Sequence, residues 1–395
     1  MLHLDNPIYL DNNATTRCDP AVVAAMLPYF SEWYGNAATG LHPLGRKAAR
    51  AIEVAREQTA VLLNAHPTEI IFTSGATESN NLAILGLGRR AVGSQRKRIV
   101  TTSVEHKAVL EPCYALASLG YETIVLPVDS AGLVDISAAQ DAINENTLFV
   151  TIQAANNEIG TLQPVSQLAS LSHAVGALIH CDAAQAVGKI PVDVLAWNVD
   201  LLSLSAHKFY GPKGVGALYI RNGPRTIPLE PLTYGGGQEH AVRSGTSNVS
   251  GLVGLGVAAQ LCMTLLPEES QRIRAMRDNL ESQLLSNIPA VWVNGANAER
   301  LPNTLSLTIP NAEADALLLN LPGIMLGTGA ACSTGTLEPS HVLQAIGLSR
   351  SDAGSTIRLS LGRFNSAEEL ALIVIKIAQA IDIYRTQNLH LLSST

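Results

Sequence analysis

Between about residues 68 and 220 the chain alternates short, β-rich apolar runs with stretches of helical character, and this alternation restricts its fold more than any other property. The runs are EIIFTS, RIVTTS, YETIVLPV, TLFVTIQAAN, ALIHCDA, DLLSLSA and VGALYI, with ESNNLAILGLGRR, KAVLEPCYALASLG and SQLASLSHAVG among the helical stretches between them. Strands that are apolar at nearly every position and separated by helices imply a mostly parallel sheet covered on both faces. The expectation is an α/β domain. Upstream, LGRKAARAIEVAREQTAVLLNA has apolar residues at helical spacing and reads as one long connecting helix. After Gly237 the texture changes to two long helical stretches, about 250–265 and 267–287, then strands VWVNG, TLSLTI and IRLSLG and a closing helix, AEELALIVIKIAQAIDIYRTQ. This pattern predicts a smaller α+β lobe, joined by the N-terminal strand IYLDNN.

Several function classes are disfavoured at once. The net charge is −7 and no long basic run occurs, so a polyanion is not the expected partner. Cys18, Cys113, Cys181, Cys262 and Cys332 are scattered, odd in number and never spaced as C-x-x-C, which fits a reducing cytoplasm better than a disulfide framework or a zinc knuckle. The opening MLHLDNPIYLDNN has no cationic segment leading into an apolar stretch and does not read as a signal peptide. The longest charge-free stretch, Ser244 to Pro267, begins polar and is then too short to span a bilayer, so it reads as a buried helix. Gly86-Leu87-Gly88-Arg89-Arg90-Ala91 lies inside a helical stretch and is no dinucleotide fingerprint.

In open α/β sheets ligands bind beyond the carboxyl ends of the strands. There the sequence places Ser74-Gly75-Ala76-Thr77-Glu78, Glu105-His106-Lys107, Asn156-Asn157-Glu158, Asp182-Ala183-Ala184-Gln185 and Ala206-His207-Lys208. Five loops carrying polar and titratable groups at one predicted edge point to a shared active site. Singly, each has a plainer reading. Ser74 to Thr77 could hold a phosphate on free N–H groups or form an ordinary helix cap. Asp182 is either a buried carboxylate needing a partner or a strand-end turn residue. Lys208 is either a surface charge or an amine desolvated enough to form a Schiff base. His180-Cys181-Asp182 with His207 is not read as a metal site, because adjacent strand residues face opposite ways.

Taken together and in order, YLDNNATT, GNAATGLHPLGRKA, FTSGATESNN, EHKAVL, NNEIGTLQPV, HCDAAQAVGKIPVDV, SLSAHKFYGPKGVGALYIR, GGGQEHAVRSGTSNV, GTGAACSTGTLEPSHVL and IRLSLGRF resemble the pyridoxal-phosphate (PLP) dependent cysteine desulfurases. The resemblance implies the type I fold of PLP-dependent transferases, shared with the aspartate aminotransferase group: a large α/β domain over 16–252 and a small α+β domain over 1–15 and 253–395. Lys208 is then the Schiff-base lysine, Asp182 the partner of the pyridinium nitrogen, Gln185 a donor to the phenolic oxygen, and His106 the residue on the ring face that assists proton transfer. Thr77, Ser205 and His207 hold the phosphate, with Thr246 reaching in from the other subunit of a homodimer. Asn157 and Arg358 clamp the substrate carboxylate. Cys332, in a loop of small residues at about 326–336, receives the sulfur as a persulfide, and the loop resembles the longer form of the family despite reading GTGAACST in place of SSGSACTS. The implied reaction takes L-cysteine to L-alanine, with the persulfide passed to an acceptor protein such as an iron–sulfur scaffold or a sulfur relay. Two alternatives stay open: another PLP outcome, such as transamination, selenocysteine cleavage or free sulfide release, and a catalytically silent docking subunit.

Overall fold

The computed structural model of the protein describes residues 7–328 and 339–392. Among these, strand β1 (Ile8–Leu10) belongs to the smaller of two sheets, and the larger sheet holds the next seven. They are β2 (Ile70–Thr73), β3 (Arg98–Thr102), β4 (Glu122–Leu126), β5 (Thr147–Gln153), β6 (Leu178–Asp182), β7 (Leu201–Ser205) and β8 (Gly216–Ile220), in the order β2-β8-β7-β6-β5-β3-β4. β4, β3, β5, β6 and β7 are parallel neighbours, and β8 runs antiparallel to both β7 and β2. Two reversals restore the direction, so β2 points the same way as the parallel block. The loops after β2, β3, β5, β6 and β7 therefore leave from one edge, as the sequence led us to expect.

The apolar runs are unbroken because both faces are covered. On β2, Ile70 and Phe72 enter one core and Ile71 the other; on β8, Ala217 and Tyr219 enter the first and Leu218 and Ile220 the second. The smaller sheet adds β9 (Trp292–Val293), β10 (Thr304–Thr308), β11 (Ile324–Thr328) and β12 (Thr356–Ser360), in the order β1-β11-β12-β10-β9. β1 pairs in parallel with β11 and the other pairs are antiparallel, giving the α+β texture expected. The closing helix Glu369–Leu392 lays Leu370, Ile373, Val374, Ile377, Ala380 and Ile381 on this sheet at helical spacing.

Two details differ from the sequence reading. The helical stretches on either side of Pro267 form one helix, Val249–Asn287. Its first half gives Leu252, Leu255, Ala258, Ala259 and Cys262 to the core of the large sheet, and its second half gives Ile273, Met276, Leu280 and Leu284 to that of the small sheet. An interior proline costs about 3 kcal/mol, less than burying two or three such side chains returns at roughly 1.5–3 kcal/mol each. Strand β11 was also not anticipated: it is five residues long, buries Ile324 and Leu326 around an exposed Met325, and contains Gly327.

Candidate active site

The loops at the shared edge surround a cavity of about 380 Å³, closed on its other side by Asn13 and Ala14 after β1 and by Arg358 on β12. Thr77, His106, Asn157, Asp182, Gln185, Ser205, His207, Lys208 and Arg358 all line it. Thr246 does not; it lines a separate open cavity with Arg50, Arg56 and Glu239. Cys332 lies outside the described residues.

At one end stands Asp182, the last residue of β6, which is 6% exposed. One carboxylate oxygen accepts from Asn80 Nδ2 at 2.7 Å and the other from the Ala184 N–H at 3.0 Å. Asn80 Oδ1 is buried and has no partner among the described residues. A carboxylate so placed and facing a cavity suits a cationic N–H of a ligand. At the other end the helix Ala76–Arg90 begins with Gly75 at φ +151°, and no side chain caps it, which leaves its first N–H groups to a ligand. Ser205, Thr77 and His207 surround this helix end in the cavity wall. The close approach requires glycine on both sides: a Cβ on Gly216 would meet Leu204 O at 2.4 Å and the Gly75 Cα at 2.6 Å.

Between the two ends lies Lys208, on the short turn Ala206–Lys208 after β7. Its Nζ donates to Asn13 O at 2.6 Å and Ala14 O at 2.9 Å. His106 is exposed and lines the cavity; partial desolvation there, with help from nearby Lys208, holds its imidazole below the usual range against the pull of Asp182. It is therefore neutral at pH 7, and because Nδ1 accepts from the Ala108 N–H at 3.0 Å, the proton sits on Nε2. His207 is pushed down to about 4, first by burial and then by Lys208, and meets Thr15 Oγ1 at 3.1 Å.

Arg358 is fixed from below. Nη2 pairs with Asp11 Oδ1 at 2.6 Å, Nη1 donates to Asn157 O at 3.0 Å, and buried Nε has no partner among the described residues. A side chain on Gly327 would meet Nη2 at 2.7 Å, so glycine there makes room for the guanidinium. Three residues that the sequence reading passed over hold the site together. Asn13, 1% exposed, donates from Nδ2 to Thr304 Oγ1 at 2.8 Å while its main-chain oxygen accepts from both Lys208 and Gln185. Asn80 and Lys189 are the others; Asn80 lies in the polar first turns of its helix, where nothing in the sequence sets it apart from Ser79 or Asn81.

Glu105, next to His106, is fully buried, with Oε1 accepting from Thr102 Oγ1 at 2.7 Å and Oε2 unpartnered among the described residues. Burial, reinforced by nearby Asp182, pushes its carboxyl from the ordinary 4.5 up to about 8. The folded chain thus holds a proton that the unfolded chain releases, and native stability falls as pH rises from about 4.5 to about 8. Glu105→Gln should remove that slope, melting with the wild type near pH 5 and several degrees higher at pH 8. Equal melting shifts at both pH values would rule the buried proton out.

Three comparisons bear on this arrangement. A family model described as aminotransferase class-V matches residues 8–373. The chain is 44% identical over 375 residues to the cysteine desulfurase IscS of Anaeromyxobacter sp. (strain Fw109-5), covering 95% of this chain and 92% of that protein. Among solved structures, a NifS-like protein superposes with a TM-score of 0.88 at 38% identity, covering 95% of this chain and 100% of the other. SspA in complex with cysteine superposes with a TM-score of 0.80, also at 38% identity, covering 91% and 100%.

Proposed function

The chain belongs to the PLP-dependent cysteine desulfurases of the class-V aminotransferase family, and on that premise we infer that L-cysteine gives up its sulfur in the cavity between Asp182 and Arg358. One observation carries the assignment of roles: an amine, a buried carboxylate, a neutral imidazole, an uncapped helix end and a guanidinium converge on a single space. The donor set fits PLP. Asp182 would hold the ring nitrogen in its protonated form, the helix end at Gly75 with Thr77, Ser205 and His207 would take the phosphate, and Gln185 would meet the phenolic oxygen. When bound, PLP supplies an electron sink for the pair left at the substrate α-carbon.

The protein's own groups do the rest. Arg358 and Asn157 bind the substrate carboxylate and fix the α-carbon. Lys208, which lines the cavity and donates to two carbonyls, takes the α-proton, and neutral His106 moves a proton at Nε2. Cys332, as thiolate, attacks the substrate sulfur: an S–S bond forms, the Cβ–S bond breaks, and the carbon takes a proton to become alanine. The sulfur stays on Cys332 as a persulfide and passes to an acceptor protein, an iron–sulfur scaffold or a sulfur relay.

The assembly in this reading is a homodimer with two shared sites. It is supported by Thr246 lying away from its own cavity, and by exposed Phe30, Tyr34 and Leu41, whose segment runs through Asn36–Ala38 in the wall of the cavity that holds Thr246. A cytoplasmic setting suits free thiols at Cys18, Cys113, Cys181 and Cys262 and a reaction that needs a thiolate. Incubation with L-cysteine should give alanine together with a protein persulfide, read by mass spectrometry, from a particle of dimer mass by light scattering. Alanine without persulfide would replace the reading by sulfide release, and a fully active monomer would remove the shared sites.

A further inference from the structure

Lys189 is a second lysine beside the cavity, placed by the turn that follows β6 and 8% exposed. Its Nζ donates to Gln185 Oε1. The two ends of a carboxamide are nearly equal in shape, so neighbours alone decide which way it faces. With its oxygen taken by Lys189, Gln185 turns Nε2 to Asn13 O at 2.9 Å, the same oxygen that accepts from Lys208 Nζ at 2.6 Å. We propose that Lys189 is a positioning residue that fixes the Gln185 amide and, through the shared Asn13 carbonyl, sets how firmly the Lys208 amine is held.

The groups facing Lys189 are Lys208, Arg358 and His207 on the cavity side, and Tyr210 and Glu269 across a space of about 10 Å³. Burial, with Lys208 and Arg358 adding to it, holds the Lys189 amine well below the usual lysine range. Remove Lys189 and Gln185 is free to leave Asn13 O. That carbonyl then accepts from Lys208 alone, which holds the ammonium form more firmly and makes the amine less nucleophilic.

The inference rests on Lys208 being the reacting amine, and the test reads Lys208 directly whether or not it carries the cofactor. The full-length chain freed of PLP is labelled with trace acetic anhydride at pH 8, and the Lys208 peptide is followed by mass spectrometry. Lys189→Met, which replaces a buried amine by an apolar side chain of similar length, should slow Lys208 labelling by about threefold, the half-unit rise in amine pKa converted to rate. Gln185→Leu breaks the same link from the other side and should slow it equally. The double variant should be no slower than either single one, because all three leave Asn13 O to Lys208. In the holoenzyme the visible band of Lys189→Met should titrate at higher pH than that of the wild type. Unchanged labelling in Lys189→Met, or single effects that multiply in the double variant, would overturn the proposal.

Discussion

Lys208→Ala should purify as a colourless protein with no cofactor fixed by borohydride, and its turnover of L-cysteine should fall at least roughly a thousandfold, the combined loss of a covalent attachment and a proton carrier. The expectation follows from position. Lys208 is the one lysine among the described residues lining the cavity, and it stands between the buried Asp182 carboxylate and the helix end at Gly75. Its two carbonyl partners restrain the amine without neutralising it, since neither carries charge. Lys208→Arg should not restore function, because a guanidinium stays protonated and is no nucleophile. Absorption spectra and peptide mapping after reduction check both variants. A reducible adduct retained on Lys189 would reassign the attachment and the chemistry built on it.

Cys332→Ser should separate cofactor chemistry from sulfur transfer. The variant should keep its colour and its spectral response to L-cysteine, yet lose the persulfide and slow alanine formation by roughly a hundredfold or more, because a serine hydroxyl stays protonated where a thiol supplies thiolate. The other cysteines are poor substitutes for stated reasons. Burial raises the thiols of Cys113 and Cys181 far above the ordinary value and that of Cys262 to about 12, and half-buried Cys18 is raised by burial and by neighbouring Asp19. Each is held as the neutral thiol near pH 7. Persulfide mapping by mass spectrometry checks the assignment; a native rate of alanine formation in the variant, or sulfur on any of the other four cysteines, would defeat it.

The large sheet was legible because its strands are apolar on both faces and end in polar loops, so one pattern carried both the core and the edge where ligands bind. The reading failed where packing overrides local preference. Pro267 looked like a helix boundary, but side chains on both sides of it are claimed by two different cores. β11 carries apolar Met325 on its exposed face between buried Ile324 and Leu326, so its alternation of burial does not appear as an alternation of residue type. The site's principal residues could be read from loops after strands, and their family roles from ordered motifs. Asn13, Asn80 and Lys189 could not, since their importance comes from what lies across the fold: Asn13 meets Thr304 across 291 positions, Asn80 meets Asp182 across 102, and Lys189, though only four positions from Gln185, matters through the Gln185 bond to Asn13 across 172. A sequence shows an asparagine after a strand, but not the carbonyl that two other side chains share.

The placement of β1 has a consequence for how the protein is born. Ile8 to Leu10 are synthesised about 316 residues ahead of their neighbours in the sheet, Ile324 to Leu326. At about 5–20 residues per second the first strand waits roughly 15–60 s for its partner. Until then Asn13 and Ala14, which complete the wall behind Lys208, have no sheet to anchor them. The strands of the large sheet can be complete well before the pocket is, so a nascent chain stalled ahead of Ile324 would carry Lys208 without the wall that Asn13, Ala14 and Arg358 complete.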